Sequence, residues 1–255
     1  MLRRLILKLI RRWGYDLVQA RYTVEGRPVL WKPIDPVGVE LLGDAQFQAS
    51  LAEVYDLTLL DTPRLANLWQ FCRLTDPKGA IVEVGVYRGG SALHLSNCCP
   101  DRRTFACDSF TGFAQLDSKL DHAFDEKMFK DTSRAAVEKL FQERKRKITV
   151  VEGFFPQSCA KISLGAVSFV HLDVDIYQST RDGLEFLADK MMARSLIIVD
   201  DFDRTADGVN RALSAFVKAH PNWTVLPLFP SQALLLPQSW FEQMAQACLD
   251  PEKSG

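Results

Sequence analysis

The chain has 255 residues, 31 of them basic and 32 acidic, for a formal net charge of -1. That balance excludes an electrostatic nucleic-acid binder, which needs an excess of positive surface, and no apolar run reaches membrane-spanning length. With 47% apolar and 25% charged residues, the composition suits one sizeable α/β domain with an N-terminal extension.

From Met1 to Trp13, Leu2, Leu5, Ile6, Leu9, Ile10 and Trp13 recur at helical spacing, with Arg3, Arg4, Lys8, Arg11 and Arg12 mostly on the other face. Basic residues interrupt the apolar ones, so no signal-peptide core forms. The pattern predicts an amphipathic basic helix. It could pack on its own domain or on a second subunit, which makes a homodimer the expected assembly. It could also touch an anionic membrane surface. Residues 1–45 form this N-terminal extension, residues 46–240 the main domain and residues 241–255 a C-terminal tail.

Residues 47–72 are predicted largely helical, with a break and restart at Thr62-Pro63: Thr62 as N-cap, Pro63 at the first helical position. A strand–helix alternation starts at Ala80. Strands are expected at 80–84, 104–107, 148–151, 166–172 and 195–199. Helices are expected at about 89–97, 133–143, 179–190 and 206–219, and a final hairpin at 223–226 and 233–236. Strands alternating with helices imply a mainly parallel, Rossmann-like sheet covered on both faces, closed by an antiparallel hairpin.

The six cysteines (Cys72, Cys98, Cys99, Cys107, Cys159 and Cys248) form no CxxC pair and no disulfide framework. This points to a reducing compartment, hence cytoplasm, with contact to the inner membrane face left open for the basic helix. With four scattered histidines, the spacing reveals no zinc site.

Two strand-end clusters carry the chemistry. The first strand runs into Glu83-Val84-Gly85-Val86-Tyr87-Arg88-Gly89-Gly90-Ser91. Its glycines allow a tight turn and close ligand approach. The turn is not the GxGxxG of dinucleotide sites. Asp108 and Ser109 end the second strand, and an acid roughly 20 residues past a glycine turn can accept from ribose hydroxyls. Glu83, in apolar surroundings, needs a partner: a ligand, or a salt bridge with Arg88. The fourth strand ends in Asp173-Val174-Asp175, the fifth in Asp200-Asp201-Phe202-Asp203. Neighbouring parallel strands lie about 4.8 Å apart, so these carboxylates meet and repel unless a cation sits between them. A hard, oxygen-liganded ion such as Mg²⁺ answers that. Asp175 and Asp203 are alternatively helix N-caps. His171, within a strand, is expected to be a satisfied core residue.

The turn from Glu83 to Ser91, Asp108-Ser109-Phe110, the D-x-D-x-Y-x-S-T stretch from Asp173 to Thr180, Asp200-Asp201-Phe202 and Gly208-Val209-Asn210-Arg211-Ala212 together resemble the macrocin O-methyltransferase (TylF) family, over roughly residues 47–237. The resemblance implies a class I methyltransferase sheet, S-adenosylmethionine as methyl donor, Mg²⁺ beside the acceptor, and a sugar or glycosylated small molecule, or an envelope glycan, as acceptor. Carried over by position, Glu83, Gly85, Arg88, Gly89, Gly90 and Ser91 line the donor's amino-acid portion. Asp108 and Ser109 hold its ribose, and Gly153, Phe154 and Phe155 lie near adenine. Asp173, Asp200 and Asp201 hold the metal, and Asp173, Asp175 and Asp203 are the catalytic candidates. The sequence departs from sugar-modifying relatives in one respect: no histidine lies in the final hairpin, and the last one is His220. A nicotinamide-dependent oxidoreductase, a non-catalytic binding module, or a methyltransferase of catechol-like phenols are the alternatives.

Overall fold

The computed structural model describes residues 23–24, 27–28, 41, 43–113, 116–202 and 207–249. The basic segment 1–13 and Asp203 lie outside these. Among the described residues, seven strands form one sheet: β1 (Ala80–Val84), β2 (Thr104–Asp108), β3 (Ile148–Glu152), β4 (Val167–Leu172), β5 (Met191–Val199), β6 (Trp223–Leu228) and β7 (Gln232–Pro237). Their spatial order is β3-β2-β1-β4-β5-β7-β6. The first five run parallel, and β7 is antiparallel to both β5 and β6. A separate two-residue ladder joins Thr23–Val24 to Arg27–Pro28. The helices are α1 (Ala45–Val54), α2 (Thr62–Leu74), α3 (Gly90–Cys98), α4 (Arg134–Glu143), α5 (Tyr177–Ala188), α6 (Asp207–Ala219) and α7 (Gln238–Leu249).

Every residue of β1 and β4 is buried, as central parallel strands covered on both faces require. Strand periodicity splits them between two cores. Val82, Val84, Val170 and Leu172 pack with Leu184 and Leu187 of α5 and Leu213 and Phe216 of α6. Ile81, Phe169 and Ile198 face the other way, against Leu65 and Leu68 of α2, Leu93 and Leu95 of α3, Phe141 of α4 and Trp240 of α7. Residues 241–249, set apart as a tail by the sequence, continue α7.

Ser133 caps α4, while the caps of α2 and α5 depart from the sequence reading. Ser133 Oγ accepts from Ala136 N–H at the start of α4. At α2, however, Asp61 is the N-cap, accepting from Arg64 N–H at 3.1 Å, and Thr62 is already helical. At α5 the N-cap is Ile176, not Asp175. The first N–H of that helix, from Tyr177, donates to Asp121 Oδ1 at 2.9 Å. A buried carboxylate from a distant loop thus does what the local aspartate was expected to do, because Asp175 is held in the left-handed region (φ 62) and cannot turn back onto the helix as an N-cap does.

Candidate active site

Strand order reverses between β1 and β4, and in open α/β sheets such a point opens a ligand crevice at the carboxyl ends. Register sets what lines it. Val84 pairs with Leu172 and Leu172 with Val199, so the residues that follow, Gly85, Asp173 and Asp200, emerge side by side. Asp173 N–H donates to Val84 C=O at 2.8 Å and Asp200 N–H to Leu172 C=O at 2.9 Å.

On the β1 side, Gly85 has φ +89, and a Cβ there would lie 1.7 Å from the Asp173 carbonyl oxygen. Only glycine fits. Gly89 (φ +86) is the N-cap of α3, and Gly90 N–H donates to Leu57 C=O at 3.2 Å. Ser91 is buried in the first turn of α3. Asp108 fastens the turn: its Oδ2 accepts from Val86 N–H (2.7 Å) and Tyr87 N–H (2.9 Å), and its Oδ1 from Phe110 N–H (2.7 Å). A carboxylate has about four acceptor sites, so Asp108 keeps capacity for one more donor. Ser109 Oγ donates to Gly112 C=O at 3.0 Å. Gly153 N–H donates to Asp108 C=O at 2.8 Å, bringing the Gly-Phe-Phe segment beside Asp108. There Phe155 packs edge-on against Phe186, centroids 5.2 Å apart, while Phe154 is 47% exposed.

Arg88 does not pair with Glu83. It pairs with Asp131 on the surface, stacked over the Tyr87 ring at 4.9 Å. Glu83 is fully buried, and its Oε1 lies 2.8 Å from His171 Nδ1. Burial opposes a charge on His171, but Glu83 outweighs it and pushes the imidazole pKa up. Glu83 Oε2 and His171 Nε2 are buried without a partner. A histidine expected to be satisfied in the core is thus half-satisfied, directly beneath the crevice.

On the β4 and β5 side, carboxylate oxygens of Asp173, Asp200 and Asp201 lie within 4.8 Å of one another. Arg64, in the first turn of α2, was not singled out by the sequence. Its Nη1 donates to Asp200 Oδ2, and its Nε lies 3.5 Å from Asp61. Burial and the neighbouring acid charges push the Asp173 and Asp200 carboxyls above their ordinary range, and burial with an Asp201 contact does the same for Asp175. Burial opposes the Arg64 charge, but Asp200, Asp61, Asp173 and Asp201 outweigh it and raise the guanidinium pKa. Asp175 and Asp201 both adopt left-handed backbone (φ 62 and 57). Such strain, roughly 1–2 kcal/mol per residue, persists where surrounding structure enforces it.

One guanidinium does not neutralise this set, and buried Asp200 Oδ1 has no partner. Bonds of about 2.1 Å to Mg²⁺ or about 2.4 Å to Ca²⁺ separate opposed ligand oxygens by about 4.2–4.8 Å, so the cluster fits a hard divalent cation. His220 is remote from it. It follows the last residue of α6, whose 13 residues extend about 20 Å from the strand-end side. There His220 stacks on Phe216 at 4.3 Å and its Nε2 lies 3.4 Å from Glu185. Asp121, also missed by the sequence, is buried against Gly208 and the start of α5.

This strand order, with its reversal at β1 and β4 and its antiparallel β6–β7 edge, is the Rossmann-like sheet of class I methyltransferases. The O-methyltransferase NovP superposes with a TM-score of 0.61 at 20% identity, covering 71% of this chain and 82% of that one. The calicheamicin methyltransferase CalS11 does so with a TM-score of 0.59 at 19% identity, covering 86% and 98%. The chain belongs to the macrocin-O-methyltransferase (TylF) family, whose model matches residues 55–224. A relative from Streptomyces olivaceus, named as an 8-demethyl-8-(2,3-dimethoxy-alpha-L-rhamnosyl)-tetracenomycin-C 4'-O-methyltransferase, is 28% identical over 174 residues, 60% of this chain and 66% of that protein. The chain therefore aligns with just under two thirds of that relative's length.

Proposed function

We propose that the protein is an S-adenosylmethionine-dependent O-methyltransferase acting on a hydroxyl of a sugar or glycosylated small molecule, assisted by a divalent cation such as Mg²⁺. The observation that carries this reading is the backbone contact of Gly85 with Asp173, which joins a nucleoside-type turn to a cation-type acid cluster in one crevice. Family membership and the rhamnosyl acceptor in the relative's name support the reaction and the acceptor class. They speak against the nicotinamide alternative, as does the lack of GxGxxG.

In this reading Glu83, Gly85, Arg88, Gly89, Gly90 and Ser91 line the donor's amino-acid end. Asp108 and Ser109 face its ribose, and exposed Phe154 covers adenine with Gly153 and Phe155 behind it. Asp173, Asp200 and Asp201 hold the cation, with Arg64 bracing Asp200. When bound, the donor supplies a methyl group activated on a sulfonium, and the cation lowers the pKa of an acceptor hydroxyl. The chain's own task is to hold that oxygen in line with the methyl group and to take its proton. Asp175, whose side chain meets Asp201 at these strand ends, is the carboxylate assigned to take the proton as general base. Asp203 and Asp173 are the other candidates.

The test uses full-length protein. Calorimetry should find binding of S-adenosylhomocysteine and none of NAD. Incubation with S-adenosylmethionine should add one methyl to a rhamnosylated acceptor, more readily than to a catechol, and the transfer should stop in chelator. Absence of S-adenosylhomocysteine binding would overturn the methyltransferase reading. Full turnover in chelator would overturn the metal role alone.

A further inference from the structure

We infer that Cys72, Cys98 and Cys99 form a second metal site, a three-thiolate pocket for a soft divalent cation such as Zn²⁺, pinning together the C-terminal ends of α2 and α3. Cys72 lies in the last turn of α2, Cys98 is the last residue of α3 and Cys99 its C-cap. The Sγ atoms of Cys72 and Cys99 are 3.8 Å apart, as are those of Cys98 and Cys99, and all three fall within 4.8 Å of one another. Zinc–sulfur bonds of about 2.3 Å at tetrahedral angles set sulfur–sulfur edges of about 3.8 Å. The thiols thus already stand near the spacing that one ion would impose.

The surroundings fit the charge of such a site. Three thiolates and one divalent ion leave a single negative charge. Arg102 lies against it, with Nη1 3.6 Å from Cys72 Sγ. Arg102 is itself held by Gly79 C=O at 3.0 Å, Thr75 Oγ1 at 3.0 Å and Ser168 Oγ at 2.5 Å, the kind of outer support that fixes metal ligands. Cys72 is buried, whereas Cys98 and Cys99 are half-exposed, so water or an exogenous ligand can complete the fourth position.

The placement gives the site a role. The other end of α2 carries Arg64 and the other end of α3 carries the Gly89-Gly90 turn. From Arg64 to Cys72, and from Gly90 to Cys98, is eight residues, or about 12 Å along each helix. An ion bridging the far ends would fix the two helices that frame the crevice without touching the reactants.

Reduced, metal-free, full-length protein is titrated with Cd²⁺ alone or with Zn²⁺ alone, reading thiolate-to-cadmium charge-transfer absorbance and metal content after desalting. We expect one equivalent of thiolate-bound Cd²⁺ and, when Zn²⁺ is added to the metal-free protein instead, one equivalent of retained zinc that Cd²⁺ then displaces. Both should be lost in the Cys98→Ser/Cys99→Ser double variant and kept in Asp200→Asn, whose change lies in the acidic cluster. Equal bands in wild type and the double variant would overturn the site. Should the double variant misfold, alkylation of wild type decides. Zn²⁺ should slow iodoacetamide modification of Cys98 and Cys99 at least tenfold by mass spectrometry, and unchanged rates would equally overturn it.

Discussion

Gly85 and Asp173 are in backbone contact across the β1–β4 boundary: a side-chain carbon on residue 85 would lie 1.7 Å from the Asp173 carbonyl oxygen. Gly85→Ala must therefore displace either the donor turn or the acid cluster, on top of left-handed strain of roughly 1–2 kcal/mol. We expect S-adenosylhomocysteine affinity to fall at least tenfold by calorimetry, with a lower Tm. Gly43, with nothing within 4 Å of an added Cβ, serves as control: Gly43→Ala should leave both unchanged.

Arg64 should stabilise the fold chiefly by balancing Asp200, whose side chain is 1% exposed. Removing one partner of a buried ion pair costs roughly 3–5 kcal/mol. Arg64→Met is expected to lose about that much in urea denaturation with chelator present. Excess Mg²⁺ should restore part of it, since a ligand that binds only the folded state stabilises by mass action. A variant as stable as wild type in chelator would show that the pair contributes nothing.

Asp200→Asn keeps the shape of the side chain and removes its charge. S-adenosylhomocysteine binding should stay within a few-fold of wild type, because Asp200 lies on the acid side of the crevice. Divalent-cation-dependent turnover should fall by roughly two orders of magnitude or more, the scale expected when several kcal/mol of metal assistance is lost. Retained turnover at saturating Mg²⁺ would remove Asp200 from the ligand set.

His94 ties stability to pH. It is fully buried in α3, with Nδ1 2.8 Å from Ser50 Oγ and Nε2 3.1 Å from Leu65 C=O. Burial lowers its pKa from 6.5 to about 4. The unfolded chain therefore binds more protons between these values, so stability rises with pH across that window and is lost as pH falls through it. The full difference corresponds to about 3 kcal/mol. Denaturation midpoints at pH 7 and pH 4.5 should separate more in wild type than in His94→Gln, and equal separations would dismiss the effect.

Much of this protein is legible in its sequence because the signals are local. Apolar runs between turn residues located every strand of the sheet. The glycines after β1 and the aspartates after β4 and β5 stood at strand ends, where ligands collect, and the order of those motifs carried the family resemblance. Pairing across the fold is another matter. Arg64 and Asp200 are 136 residues apart, Glu83 and His171 88, Tyr177 and Asp121 56, and Cys72 and Cys99 27. No periodicity links such positions. They meet because strand register and helix docking bring their side chains to one point, which is why Thr62 and Asp175 looked like caps, Arg88 looked like the partner of Glu83, and three cysteines without a spacing motif looked unrelated. The chain's local chemistry determined which groups stand ready at each strand end. Only the packed sheet, by trading solvent for specific neighbours around buried charges and thiols, decided which of them act together.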